Sequence, residues 1–178
     1  MRKYFFLCAA CILIGAGGGN AGDRGGSTSF MDREPTAEEL VDALKIPAPK
    51  MKYRSIAVVK DEPRPKALLK ITFEFNSAEL TREAKETLDK VGQALASDEL
   101  SADTFQLVGH TDGKGDADYN LQLSARRALA VKNYLEKFRG ISGSRLSPMG
   151  KGEGELFDKD HPYSGENRRV EIINVGSD

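Results

Sequence analysis

Residues 107–128 join the end of an apolar strand to a glycine-bounded polar loop and then to a helix, and this junction constrains the fold more than any other segment. Glycine lets a loop turn tightly and approach a ligand closely. On the predicted helix, Asn120, Ser124 and Arg127 are spaced i, i+4 and i+7, so they share one face. An acid in the loop, Asp112, and a base on the helix, Arg127, can therefore converge on one small zwitterion.

Periodicity around this junction predicts strands that alternate with helices. Apolar residues recur with a period of two in 67–75, and further strands are predicted at 104–110, 146–149 and 169–174. Apolar residues recur at helical spacing over 80–95 and predict an amphipathic helix that is capped by Thr81. Such an order implies right-handed crossovers and a mixed sheet covered by helices, which is an α/β (α+β) fold.

The second long helix is predicted over 118–138 and should end at Gly140, because glycine commonly terminates helices. Its spacing predicts a core-facing set of apolar residues: Leu121, Ala125, Ala128, Val131, Leu135 and Phe138.

The amino-terminal third is predicted to be an export signal followed by a leader. Residues 1–21 combine a basic start, an apolar stretch too short for the ~20 residues of a membrane span, and small residues before Gly22. Lipidation at Cys11 is an open alternative to simple cleavage. Residues 22–66 are interpreted as a flexible leader with a short helix capped by Thr36, followed by a proline-rich linker and an extra strand at 53–59.

The globular domain is assigned to residues 67–178. Both cysteines of the chain lie in its first eleven residues, so this domain contains no disulfide. The formal net charge of −1 argues against a general binder of nucleic-acid phosphates.

The junction also carries a recognisable motif, G-H-T-D-x-x-G-x-x-x-x-N-x-x-L-S-x-x-R-A. It is formed by Gly109, His110, Thr111, Asp112, Gly115, Asn120, Leu123, Ser124, Arg127 and Ala128. With residues 73–77 and 167–172, it resembles the OmpA-like C-terminal domain, the peptidoglycan-binding module also found in Pal lipoproteins and in the flagellar stator protein MotB. The resemblance covers roughly 67–175. It implies a βαβαβ-type sandwich in which two main helices pack on one side of a mixed four-stranded sheet.

The resemblance assigns Asp112 and Arg127 to diaminopimelate, the cross-linking residue of the Gram-negative peptidoglycan stem peptide. The chemistry fits, because an aspartate accepts hydrogen bonds from an ammonium and a guanidinium grips a carboxylate with two parallel bonds. The structural alternative is an Asp112–Arg127 salt bridge that only ties the loop to the helix.

Five further residues are candidates for ligand contact. Each has a structural alternative: a turn for Asn76, a loop-to-helix tie for Thr111 and Asn120, core packing for Leu123, and a solvated strand entry for Arg168. His110 is interpreted as a packed residue.

Catalysis and metal binding are disfavoured by residue placement. Ser124 falls inside a predicted helix and not at a sharp strand-to-helix turn, so it lacks the setting of a hydrolase nucleophile. Lys114 stands where a calcium loop needs an acid. Three residues lie between Gly109 and Gly113 where a phosphate-binding loop needs four, and no Ser or Thr follows Lys114.

We therefore expect a non-enzymatic envelope protein of the periplasm or outer membrane that needs no cofactor and no metal. Its partner should be diaminopimelate-type peptidoglycan, which it would link to the envelope. In an alternative interpretation the chain is an interaction module, residues 36–66 dock an envelope protein, and wall binding is incidental.

Overall fold

The computed structural model describes residues 26–47, 63–74 and 77–177. Several sequence predictions lie outside these ranges: the signal over 1–21 with the alternative of lipidation at Cys11, the strand over 53–59, and Asn76.

Five strands form a single mixed sheet in the order β1–β2–β5–β3–β4. The strands are β1 (Ser27–Phe30), β2 (Lys66–Leu69), β3 (Thr104–His110), β4 (Leu146–Gly152) and β5 (Val170–Gly176). β1 runs parallel to β2 and β4 parallel to β3, whereas β5 lies between β2 and β3 and is antiparallel to both. Four strands therefore point in one direction and only β5 points in the other.

Three helices cover one face of this sheet. They are α1 (Ala37–Leu44), α2 (Arg82–Leu95) and α3 (Ala117–Arg139), and short 3-10 turns occur at Gly143–Arg145 and Gly165–Asn167. Thr36 caps α1 through a reciprocal capping box with Glu39, and Thr81 and Asp116 cap the other two helices. The buried cluster beneath them includes residues of all three helices and the helix-facing side of β2, β3 and β5. Burial of this apolar surface is the main force that holds the two layers together.

Helix α3 approaches the sheet unusually closely at two glycines. A Cβ atom on Gly109 would lie 2.4 Å from the Ser124 carbonyl oxygen, and one on Gly150 would lie 2.4 Å from the Ala125 nitrogen. The Ser124 hydroxyl accepts a hydrogen bond from the Gly152 N–H at 2.9 Å. The first half of α3 is thereby fixed directly on the backbones of β3 and β4.

The opposite face of the sheet carries a buried charged cluster. Arg169 donates to Glu171 Oε1 at 2.6 and 2.9 Å and to the Glu155 carbonyl at 3.2 Å. His110 is buried beside them, with Nε2 3.5 Å from Glu171 Oε1. Burial, followed by the charge of Arg169, lowers the pKa of His110 to about 4. Burial alone would raise the pKa of Glu171, but Arg169 and Lys66 hold it below its usual value.

The predicted fold class is confirmed, and the predicted four-stranded sheet is corrected to one of five strands within the described residues. The additional strand is β1, which lies in the segment expected to be a flexible leader. The strand predicted over 67–75 ends at Leu69, because its partner β5 begins at Val170, the residue opposite Leu69. Beyond that point the chain leaves the sheet, and Phe73 pairs with Leu80 in a small antiparallel bridge.

The predicted core face of α3 is wrong at three positions. Leu121 and Phe138 are 48% and 60% exposed, and Ala125 is exposed as well. The buried side contains Asn120 and Ser124, because polar contacts to the neighbouring loop and strand hold that side inward. Apolar periodicity could not detect a helix face fixed by polar residues.

Candidate functional site

A cleft of about 500 Å³ lies beyond the carboxyl ends of β2 and β3, next to the first half of α3. Four segments form it: residues 73–74 after β2, the 111–114 loop after β3, one side of α3, and Arg168 just before β5. The lining residues are Phe73, Glu74, Thr111, Asp112, Lys114, Tyr119, Asn120, Leu123, Arg127 and Arg168.

Asp112 is the acid at the end of β3, and both of its carboxylate oxygens accept hydrogen bonds. Oδ1 accepts from the Lys114 backbone N–H at 3.3 Å, and Oδ2 accepts from Arg168 Nη1 at 2.6 Å. The Gly113 N–H donates to the Pro162 carbonyl at 2.8 Å, which ties this loop to the 158–167 loop. The Asp112 side chain is only 14% exposed, so the carboxylate is held in the floor of the cleft.

Arg127 enters the cleft from α3 and is half-buried. Its Nε donates to the Ser77 carbonyl at 3.1 Å, and its guanidinium lies over the Phe73 ring at 4.9 Å from the centroid. Within the described residues, no carboxylate makes an ion pair with Arg127, and its two terminal nitrogens make no hydrogen bond. Burial, together with the charge of Arg168, lowers the pKa of Arg127 below its usual value.

A half-buried guanidinium that makes no ion pair with any described residue is costly, and its unbonded terminal nitrogens form the fork that best fits a carboxylate. The arrangement therefore presents a carboxylate that accepts hydrogen bonds, on Asp112, and a guanidinium that donates them, on Arg127, in the same small cleft.

Thr111 and Leu123 also line the cleft. Thr111 is 2% exposed, and its hydroxyl has no hydrogen-bond partner among the described residues. Leu123 is buried and gives the cleft an apolar side. Thr111 therefore lines the cleft, while its hydroxyl oxygen is buried and has almost no exposed surface of its own.

Asn120 fixes the shape of the loop. Its Nδ2 donates to the Lys114 carbonyl at 3.1 Å and to Glu153 Oε2 at 2.8 Å, with a longer contact of 3.4 Å to the Asp112 carbonyl. Asn120 is also buried, so these contacts give it the structural role that the sequence analysis considered.

Six of the seven predicted site residues line this one cleft, and the seventh, Asn76, lies outside the described residues. Asp112 pairs with Arg168 and not with Arg127, so the salt bridge considered as the structural alternative does not form. The adjacent arginines diverge: Arg168 reaches the cleft, whereas Arg169 is buried on the opposite face of the sheet.

Sequence reasoning missed Phe73, Glu74, Lys114 and Tyr119 as lining residues. The sequence predicts Phe73 within the first strand. Because β2 ends at Leu69, Phe73 lies outside the strand and its ring packs against the Arg127 guanidinium. Sequence reasoning also missed Asn167, a buried residue whose Nδ2 donates to three carbonyls of the 158–167 loop, at distances of 3.0–3.2 Å. Its place beside Arg168 in the terminal motif was the available signal.

Ser124 and His110 do not form a catalytic pair. The Ser124 hydroxyl is already engaged with the Leu121 carbonyl and the Gly152 N–H, and His110 lies on the other face of the sheet. In the described part of the chain, no three His, Cys, Asp or Glu side chains cluster in a way that could hold a metal ion. No helix within these residues is long and apolar enough to cross a membrane.

A family model described as the OmpA family matches residues 72–169, which include the whole cleft. The chain belongs to the OmpA family. Among its OmpA-family relatives, outer membrane protein A of Bordetella avium is 37% identical over 125 residues, 66% of this chain and 63% of that protein. The peptidoglycan-associated lipoprotein of Pseudomonas aeruginosa is 34% identical, covering 64% of this chain and 67% of that one. The match covers only 23% of outer membrane protein A of Serratia marcescens.

Solved OmpA-like structures share the fold. A putative MotB-like protein from Desulfovibrio vulgaris has a TM-score of 0.53 at 23% identity, covering 65% of this chain and 75% of that one. The cell wall anchor of the type VI secretion system from Pseudomonas aeruginosa has a TM-score of 0.52 at 24% identity, covering 68% and 87%.

Proposed function

We propose that this OmpA-family protein binds peptidoglycan noncovalently, through the diaminopimelate residue of the stem peptide. One end of diaminopimelate is an amino-acid zwitterion, with an ammonium and a carboxylate on the same carbon. Asp112 accepts from the ammonium, and the terminal nitrogens of Arg127 donate to the carboxylate. Thr111, Leu123 and Arg168 are the other contacts within the described residues, and Asn76 is a further contact proposed from the sequence.

The observation that carries the proposal is the half-buried Arg127, which makes no ion pair with a carboxylate of the described residues and lies in the same cleft as the mostly buried Asp112. Arg127 is oriented by its Nε bond and by the Phe73 ring, so its fork is preorganised for an incoming carboxylate. The relatives support the ligand, since one is named a peptidoglycan-associated lipoprotein and a similar structure is described as a cell wall anchor.

Peptidoglycan binding places the protein in the cell envelope, in the periplasm or at the outer membrane, where it links the wall to the envelope. The binding is noncovalent and involves no catalytic step or cofactor. The cleft holds the ligand by charge pairing and shape, and the engaged Ser124 hydroxyl takes no part.

Sedimentation with purified sacculi tests the proposal. Asp112→Asn and Arg127→Ala should each lose about 2–5 kcal/mol of binding, which is roughly thirtyfold to several thousandfold in affinity. Arg82→Ala removes an exposed arginine on α2 that does not line the cleft, and this variant should bind like the parent protein. Far-ultraviolet circular dichroism and melting curves check that the variants fold.

Wall chemistry supplies a second arm of this test. Lysine lacks the carboxylate that Arg127 is proposed to grip, so lysine-type sacculi would leave the guanidinium desolvated and unpaired and should bind weakly. Equal binding to both wall types, or retained binding by both folded cleft variants, would show that the cleft recognises something else.

A further inference from the structure

The charges that line the cleft do not balance. Two acidic side chains, Glu74 and Asp112, face three basic ones, Lys114, Arg127 and Arg168. A zwitterion brings no net charge, so a cleft that holds only the zwitterionic end of diaminopimelate keeps its excess positive charge. Because part of this charge is desolvated, the excess is less screened than at an open surface.

Arg168 lies at the mouth of the cleft. Its side chain is 52% exposed, whereas that of Asp112 is 14% exposed. One guanidinium nitrogen makes the 2.6 Å contact to Asp112, and within the described residues the other nitrogens make no hydrogen bond. Gly165 leaves room for this position, because a Cβ atom there would lie 3.0 Å from Arg168 Nη2. Arg168 therefore presents open donors toward solvent beside the proposed ligand.

Arrival of a ligand ammonium changes the surroundings of Arg168. In the free protein, Arg168 is the cationic partner of Asp112, and its charge already lowers the pKa of Arg127. An ammonium at Asp112 competes for the same carboxylate and adds a third positive group near the two guanidiniums. A second anionic group close to Arg168 would relieve this repulsion and give Arg168 a new partner.

We infer that Arg168 is a specificity-determining residue that recognises a second carboxylate of the ligand, outside the zwitterionic end of diaminopimelate. The inference rests on the proposed function, since it assumes that Asp112 and Arg127 hold that end. The ligand class is therefore a stem peptide with at least one further free carboxylate. A peptide whose other carboxylates are amidated should be a poorer ligand.

Titration calorimetry on the full chain tests this with two synthetic diaminopimelate stem peptides. Both keep the zwitterionic end intact, and the second has every other carboxylate amidated. The parent protein should bind the free-carboxylate peptide about three- to fivefold more tightly, the scale of a half-exposed ion pair, which corresponds to ~0.7–1 kcal/mol. Raised salt should reduce this preference.

Variants assign the preference to Arg168. In Arg168→Gln the two peptides should bind within a factor of about 1.5 of each other, because no charge-assisted partner remains for the second carboxylate. Arg168→Lys keeps the charge and should retain part of the preference. Lys159→Gln removes one exposed positive charge on the opposite face of the sheet and should keep the full preference, which controls for net charge. Because replacement of Arg168 also removes the ion-pair partner of the mostly buried Asp112, melting curves check that each variant is folded at the temperature of the titration.

Equal binding of both peptides by the parent protein would overturn the inference and leave the proposed function standing. A full preference retained in Arg168→Gln would also overturn it and would assign recognition of the second carboxylate to another group, such as Lys114. Binding of neither peptide by the parent protein would refute the proposed function and this inference together.

Discussion

Thr111→Val should raise stability and lower ligand affinity, two effects that separate a binding residue from a structural one. Valine has nearly the shape of threonine but no hydroxyl. The Thr111 hydroxyl is buried and unpartnered within the described residues, so it contributes nothing to the fold and carries the desolvation cost of an unmade hydrogen bond.

The size of each effect follows from this geometry. An unsatisfied buried polar group costs about 1–3 kcal/mol, so its removal should stabilise the protein by ~1 kcal/mol after some loss to repacking. For a chain of this length, that is roughly 2–4 °C in melting temperature. A hydrogen bond to the ligand contributes about 0.5–1.5 kcal/mol, so affinity for a diaminopimelate stem peptide should fall about two- to twelvefold.

Differential scanning calorimetry and titration calorimetry measure the two quantities on the same protein samples. Ser97→Ala is the matched control, because the Ser97 hydroxyl is also buried and has no hydrogen-bond partner in the described part of the chain, but does not line the cleft. It should change stability in the same direction and leave affinity unchanged. A loss of stability in Thr111→Val would mean that the hydroxyl supports the loop, and unchanged affinity would remove Thr111 from the proposed contacts.

Two further predictions concern the buried charges on the face opposite the helices. The pKa of His110 is lowered from 6.5 to about 4 in the folded protein. Between these two pH values the unfolded chain therefore binds more protons than the folded protein does, so the free energy of unfolding falls as the pH drops below 6.5. The total loss of unfolding free energy should be roughly 3 kcal/mol. Urea titrations near pH 7 and pH 4.5 should show a smaller loss for His110→Gln than for the parent protein. An equal loss in the two proteins would contradict the assignment to His110. Glu171→Gln should lower the free energy of unfolding by about 3–5 kcal/mol in urea titrations, because the buried Arg169 loses its partner. Glu83→Gln, at an exposed position, should change it little.

The elements that could be predicted from sequence are those fixed by local chemistry. Thr36 and Thr81 cap their helices as expected, and Gly140 ends α3 in the left-handed conformation with φ of 69°. Each of these features depends on residues within one or two turns of the chain, which is the range over which a motif can be recognised. The placement of Asp112 and Arg127 in one cleft was predictable for the same reason.

The contacts that sequence reasoning missed join distant residues. Arg168 and Asp112 are 56 positions apart, and no local pattern shows that Arg168 and not Arg127 takes this carboxylate. The Ser77 carbonyl that orients Arg127 is 50 positions away. The fifth strand was missed because Ser27–Phe30 has only four residues and lacks the apolar alternation that signals a strand. Pairing with β2 supplies the stabilisation that its own composition does not.

The direction of the strands has a mechanical consequence for a protein held at both ends. The leader joins the sheet at Ser27, the amino end of β1, whereas the cleft lies beyond the carboxyl ends of β2 and β3. Tension between that leader and a molecule in the cleft would therefore act along the strands. The hydrogen bonds between β1 and β2 would then be loaded together in shear and not broken one after another by peeling, so even a four-residue edge strand would resist a steady pull.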